Sequence, residues 1–151
     1  MKREIKNKSE IVSKLNSLLS DYEIYYQNLR ALHWNIKGKM FFMLHEKYEE
    51  FYNEAAEVID EIAERILMLD STPLHTYEDF LKNAEITVIR NVSDAERSVQ
   101  IVLENNEVLL NKAFGAIEVA SESGDEGTVA LLSELISALE KRIWMLKSSL
   151  K

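Results

Sequence analysis

Hydrophobic residues recur at spacings of three and four along most of the chain, the pattern of helices that each bury one face. A first helix is predicted from about Ser9 to Lys37 on Leu15, Leu18, Leu19, Tyr22, Tyr25, Tyr26, Leu29 and Leu32, with Ser9 placed as its cap and Gly38 as its stop. A second is predicted from about Met40 to Asp70, where Leu44, Tyr48, Phe51, Ala55, Val58, Ile62, Ile66 and Leu69 form an unbroken stripe before Ser71-Thr72-Pro73. A third, capped by Ser93 or Asp94, carries apolar positions from Val99 to Ala120 and stops at Ser123-Gly124; a fourth runs from about Gly127 to Leu150. Tyr77 to Asn83 reads as a short helix within the connection between the second and third. Two tightly joined helix pairs separated by about twenty residues make an all-α four-helix bundle with one long crossover.

Composition narrows the class. The 151 residues include four Gly and one Pro, leaving few points at which a helix would break. With no Cys, disulfides, thiolate metal sites and Cys nucleophiles are excluded. A net charge of −8 disfavours a body surface built for nucleic acid and suits cations. Residues 1–8 depart from this: Lys2, Arg3, Lys6 and Lys8 make a flexible basic tail ahead of a bundle domain at 9–151, a weak footprint for DNA phosphates. No secretory signal or membrane-spanning run is read, so a cytoplasmic location is expected. No glycine-rich phosphate loop or internal repeat is present.

Candidate chemistry lies on the second helix. His45/Glu49 and Asp60/Glu64 are i,i+4 pairs, each projecting two potential ligands a turn apart. From Glu49 to Asp60 the helix turns through about 1100°, returning to within about 20° of the same direction, so all four share a stripe, read as lying beside the core stripe. His45 and Asp60 are nonetheless about 22 Å apart along the axis, too far to hold one ion. Two copies packed antiparallel near residues 54 and 55, where Asn53, Ala55 and Ala56 are small, would set each His45/Glu49 pair opposite an Asp60/Glu64 pair. Imidazole with carboxylates and no thiolate suits iron, manganese or zinc, and redox use points to iron. An intrachain di-iron centre would need Glu-x-x-His pairs, but Arg30, Phe42 and Thr72 stand three residues before the three His.

The chain resembles the mini-ferritins, the family of DNA-binding proteins from starved cells (Dps). The resemblance rests on His33-Trp34-Asn35-x-x-Gly38, Phe41 or Phe42 followed by His45, Asp60-x-x-x-Glu64-Arg65, Pro73-Leu74-x-Thr76-Tyr77, Gly124-Asp125 and Glu140-Lys141-Arg142-Ile143-Trp144-Met145-Leu146. It implies a ferritin-like bundle assembled as a dodecamer, with a two-iron ferroxidase centre shared between two-fold-related subunits. In that arrangement His33, His45 and Glu49 come from one subunit and Asp60 and Glu64 from the other, while Trp34 lines the site as an electron donor. Fe(II) is oxidised, preferentially by hydrogen peroxide, and stored as ferric mineral. The chain departs from the family in carrying Glu49 where Asp is usual, and Ala130 where an acidic residue often lines an iron-admitting pore; Glu122, Asp125, Glu126 and Glu134 are candidate substitutes. Two rival readings are a similar shell that mainly compacts DNA, supported by the basic tail, and a helical dimer without metal chemistry.

Overall fold

A computed structural model of the chain describes residues 4–151 and holds five α-helices: α1 (Lys8–Asn35), α2 (Phe41–Met68), α3 (Tyr77–Asn83), α4 (Ala95–Glu122) and α5 (Glu126–Ser149). No strand occurs among the described residues, and none of their helices is long and apolar enough to cross a membrane. The four long helices form the bundle, and α3 sits in the crossover as expected. Lys2 and Arg3 of the basic tail lie outside the described residues.

α1 is the shared partner: it packs closely on α2, α3 and α4, and α4 packs on α5. Its buried residues Ile11, Leu15, Leu18, Tyr22, Tyr25, Leu29 and Leu32 alternate spacings of four and three, the register that keeps one seam facing neighbouring helices. Val99, Val102, Asn106, Leu109, Ala113, Ala116 and Ala120 continue that register on α4. Ala113, Ala116 and Ala120 of α4 and Tyr22 and Tyr25 of α1 are all buried on these seams.

The helix limits differ from the sequence reading by one or two residues. Asn7, in the left-handed region at φ 53°, precedes α1 in place of Ser9, and α2 ends at Met68 because Asp70 turns at φ 62° before Pro73 is reached. Of the two candidate caps for α4, Asp94 is the cap, its side chain accepting from Arg97 N at 2.8 Å. Such a cap is worth about 1 kcal/mol. α4 ends in a double closure around Gly124 (φ 74°): Asp125 N donates to Ala120 O and Gly124 N to Ser121 O.

Polar side chains on α1 stitch the crossover down. Leu74 N donates to Asn16 Oδ1, and Glu85 N and Ile86 N donate to Asp21 Oδ1 at 2.7 and 2.8 Å. Asn28 donates to Thr87 O, accepts from Ile89 N, and also donates to Asn105 Oδ1 on α4. Asp21 is fully buried and its other oxygen lies 3.4 Å from Lys112 Nζ, so the carboxylate is neutralised where it is desolvated. The chain before α1 is held too, with Lys6 N donating to Ser123 O and Ile5 packed against the core.

Candidate metal centre

The tight α1–α2 turn brings two of the three histidines together. Gly38 adopts φ 106°, a conformation other residues rarely take, and Phe41 N closes onto Gly38 O at 3.1 Å. His33, in the last turn of α1, then faces His45, in the second turn of α2. Their rings stack with centroids 3.7 Å apart and 13° between planes. Each ring bonds the backbone of the other: His33 Nδ1 donates to His45 O at 2.6 Å, and His45 Nδ1 to His33 O at 2.7 Å. His33 O is one of the carbonyls that the end of α1 leaves without a helical partner, so this bond also caps the helix.

A carbonyl only accepts, so both Nδ1 atoms carry hydrogen, and a neutral ring must present its lone pair at Nε2. This is the way metal-binding imidazoles are usually fixed, with the second nitrogen tied to a backbone oxygen. Phe41 stacks on the outer face of His45 at 4.8 Å, and Tyr52 sets its edge against His33 at 5.4 Å. His33 Nε2 lies 3.7 Å from Glu49 Oε1. The buried His33 thus touches both the half-buried His45 ring and the exposed Glu49 carboxylate, without the three forming a ligand set of their own.

Asp60 and Glu64 are not brought to these residues. Both are exposed on α2, about 22 Å further along the axis, and neither has a hydrogen bond or ion pair among the described residues. No three His, Asp or Glu side chains converge on a metal position among the described residues. The stripe lies further from the core than its sequence position implied: only His45 is half-buried, and Glu49, Asn53, Ala56, Asp60 and Glu64 all face outward. Ala55, read in the sequence both on the core stripe and in the small crossing patch, belongs to the chain's own core at 2 % exposure. Trp34 is exposed, with the Arg30 guanidinium over its ring at 4.9 Å. His75 stands in the crossover, bonded to Pro73 O.

Among the described residues the bundle interior holds no group of carboxylates and histidines of the intrachain kind; Tyr25 Oη and Asn106 meet there, hydrogen-bonded at 3.1 Å. Among the four acidic residues considered for the pore, Asp125 is excluded. It is 1 % exposed and accepts from Arg65 Nη2 at 2.7 Å and from the Thr128 backbone and hydroxyl. The Arg65 contact was missed in the sequence, although Arg65 follows Glu64 directly and an arginine beside a ligand stripe is itself a signal.

A ferritin-like domain model matches residues 12–151. The "DNA protection during starvation protein" of Porphyromonas gingivalis is 41% identical over 138 residues, covering 91% of this chain and 87% of that protein. Among solved structures, the Dps protein of Vibrio cholerae O1, described as a member of a broad superfamily of ferritin-like diiron-carboxylate proteins, superposes with TM-score 0.94 at 42% identity, covering 95% of this chain and 91% of that one. A Dps protein from Bacillus brevis gives 0.93 at 34% identity over the full length of both chains. With this fold and this arrangement of donors, the chain belongs to the ferritin-like superfamily and, within it, to the Dps family of mini-ferritins.

Proposed function

We propose that the chain is the subunit of a closed homo-oligomer, a dodecamer after the family's pattern, that oxidises Fe(II) with hydrogen peroxide in the cytoplasm and stores the product as ferric mineral. The observation that carries this reading is the reciprocal histidine clamp, which readies two Nε2 lone pairs, that of His33 3.7 Å from Glu49, and meets no further ligands among the described residues. Two α2 helices crossing antiparallel through the exposed Asn53 and Ala56 complete the set, with Asp60 and Glu64 of the partner subunit supplying the missing carboxylates.

Iron is the substrate here. The imidazoles suit the ferrous ion, and Glu49, Asp60 and Glu64 stabilise the harder ferric product, with Glu64 as the principal or bridging carboxylate. Two Fe(II) each give up one electron, and hydrogen peroxide takes both with two protons to become two waters. Pairing the electrons leaves no hydroxyl radical. Trp34, next to His33 in the sequence and exposed, would serve as an electron donor to such a centre. DNA protection is the role in the name of the Porphyromonas gingivalis relative; in this chain the support for DNA contact is the basic tail, of which Lys8 is engaged with Asp70 at 3.4 Å.

Anaerobic Fe(II) loading followed by peroxide tests the reading. His33→Ala/His45→Ala and Asp60→Ala/Glu64→Ala should each slow oxidation by about tenfold or more. Random co-assembly of the two variants should restore about a quarter of the sites, because a mixed pair carries one intact centre and one doubly damaged one. Wild-type rates in either variant would refute the shared centre.

A further inference from the structure

A continuous run of ring contacts leads away from His33 between α1 and α2. Tyr52 of α2 stands nearly perpendicular to the His33 ring with centroids 5.4 Å apart, and Tyr26 of α1 stands perpendicular to Tyr52 at 5.9 Å. Arg30, one turn along α1 from Tyr26, then lies over two rings at once: its guanidinium carbon is 5.3 Å from the Tyr26 centroid and 4.9 Å from that of Trp34. The order in space is therefore His33, Tyr52, Tyr26, Arg30, Trp34. Edge-to-face rings at such separations are in contact, and electrons pass between touching rings far faster than across solvent. Trp34 itself has no ring contact with either histidine among the described residues.

The six tyrosines differ in how readily they can be oxidised. A tyrosine gives up an electron easily only when its phenol proton can leave at the same time. Tyr22, Tyr25 and Tyr48 are sealed in the core, where burial raises the phenol pKa, and none of their rings contacts a histidine. Tyr77 is exposed on α3 and contacts neither histidine ring. Tyr26 and Tyr52 are half-buried; neither hydroxyl has a hydrogen-bond partner among the described residues, and neither is closed off from water. Water can take their protons. Phe41, the ring stacked on His45, has no hydroxyl to lose. Arg30 sets a further preference. Its positive charge, 4.9 Å from Trp34, opposes oxidation of that indole to a radical cation, whereas a phenol that has lost its proton is neutral and escapes the repulsion.

We propose that Tyr52 is the first electron donor when peroxide meets a single Fe(II) at His33 and His45, that Tyr26 is the second, and that Arg30 restrains onward passage so that Trp34 is the last. The proposal rests on the ferroxidase reading above. Two Fe(II) give peroxide both of its electrons, but a lone Fe(II) gives one, and cleavage of the O–O bond then releases hydroxyl radical. Tyr52 supplies the missing electron. Fe(II) becomes Fe(III), the O–O and Tyr52 O–H bonds break, and the phenol proton with one more from solvent completes two waters, leaving a neutral tyrosyl radical. Tyr26 then passes an electron to Tyr52 and releases its proton to water while Tyr52 takes one back. Tyr52 is restored and the radical rests on Tyr26, one ring further from the iron.

Freeze-quench electron paramagnetic resonance reads the radical in assembled protein loaded anaerobically with Fe(II) well below one per chain and then mixed with peroxide. Wild type should give a tyrosyl signal that narrows when the protein carries ring-deuterated tyrosine. Tyr52→Phe, which keeps the ring and removes an unpartnered hydroxyl, should lose most of that signal, and a spin trap should capture more hydroxyl radical than with wild type. Tyr26→Phe should keep a tyrosyl signal with altered hyperfine splitting, because the radical stays on Tyr52. Arg30→Gln should add an indolyl signal that narrows with ring-deuterated tryptophan, and Tyr77→Phe should match wild type. Ferric absorbance in the same samples tests the iron reading separately: no ferric product from wild type would overturn that reading and this proposal together. Ferric product without a tyrosyl radical, an undiminished signal in Tyr52→Phe, an equal loss in Tyr77→Phe, or wild-type spectra in Tyr26→Phe or Arg30→Gln would overturn this proposal alone.

Discussion

His33 and His45 show what a residue's type and position disclose and what they conceal. Their proximity to one acidic stripe was legible in the sequence, and so was the separation that denies a single chain a complete centre. The bonds from each Nδ1 to the other's backbone carbonyl were not, because a side chain's choice of a distant carbonyl leaves no periodic trace. The buried tyrosines are a similar case: spacing marks them as core, but the fate of each hydroxyl depends on the neighbouring helix. Tyr48 bonds Ser98 at 2.6 Å, and burial pushes its phenol pKa up to about 12, with Tyr22 and Tyr25 also raised. Above pH 10 the unfolded chain releases phenol protons that the folded chain retains, so stability is full below pH 10 and falls as pH climbs towards the folded values. Urea midpoints measured from pH 8 to 12 should decline beyond pH 10, and Tyr48→Phe should flatten part of that decline.

At the scale of elements, the apolar periodicity located the four long helices, because a buried face imposes its period over several turns, whereas α3 buries only Phe80 and was read as a short helix from its place in the connection. Their limits were less legible, since Asn7 and Asp70 enter the left-handed region without glycine and the chain turns there for tertiary reasons. Asn16, Asp21 and Asn28 give no periodic signal of the crossover that they hold down. The junction of α2 with α5 is hidden in the same way. A Cβ at Gly127 would stand 2.7 Å from the Arg65 guanidinium, which lies across the first turn of α5 to reach Asp125 and Thr128. Ala ordinarily favours a helix over Gly by up to about 1 kcal/mol, but here Gly127→Ala should cost about 1–3 kcal/mol by chemical denaturation. In Arg65→Ala the same substitution should cost nothing or stabilise, a coupling that a double-mutant cycle reads directly.

For the whole molecule, large apolar side chains remain uncovered in the single chain: Phe42 is 84 % exposed, Tyr77 82 %, Trp144 64 % and Trp34 57 %. Surfaces of that kind are normally covered by another chain, as the proposed shell requires. Light scattering should report a particle of twelve 17.5 kDa chains, and Phe42→Glu, which places a charge on one of these surfaces, should yield smaller species. The fifteen-residue gap between the two half-sites on α2 then has a kinetic meaning. A centre assembled from halves of two chains follows second-order dependence on dissociated subunits, so activity per chain should fall on dilution below the assembly threshold and return on concentration. On the proposed shared centre a newly made subunit would be silent towards iron and peroxide, and oxidation would begin only once association had started to build the container that receives its product.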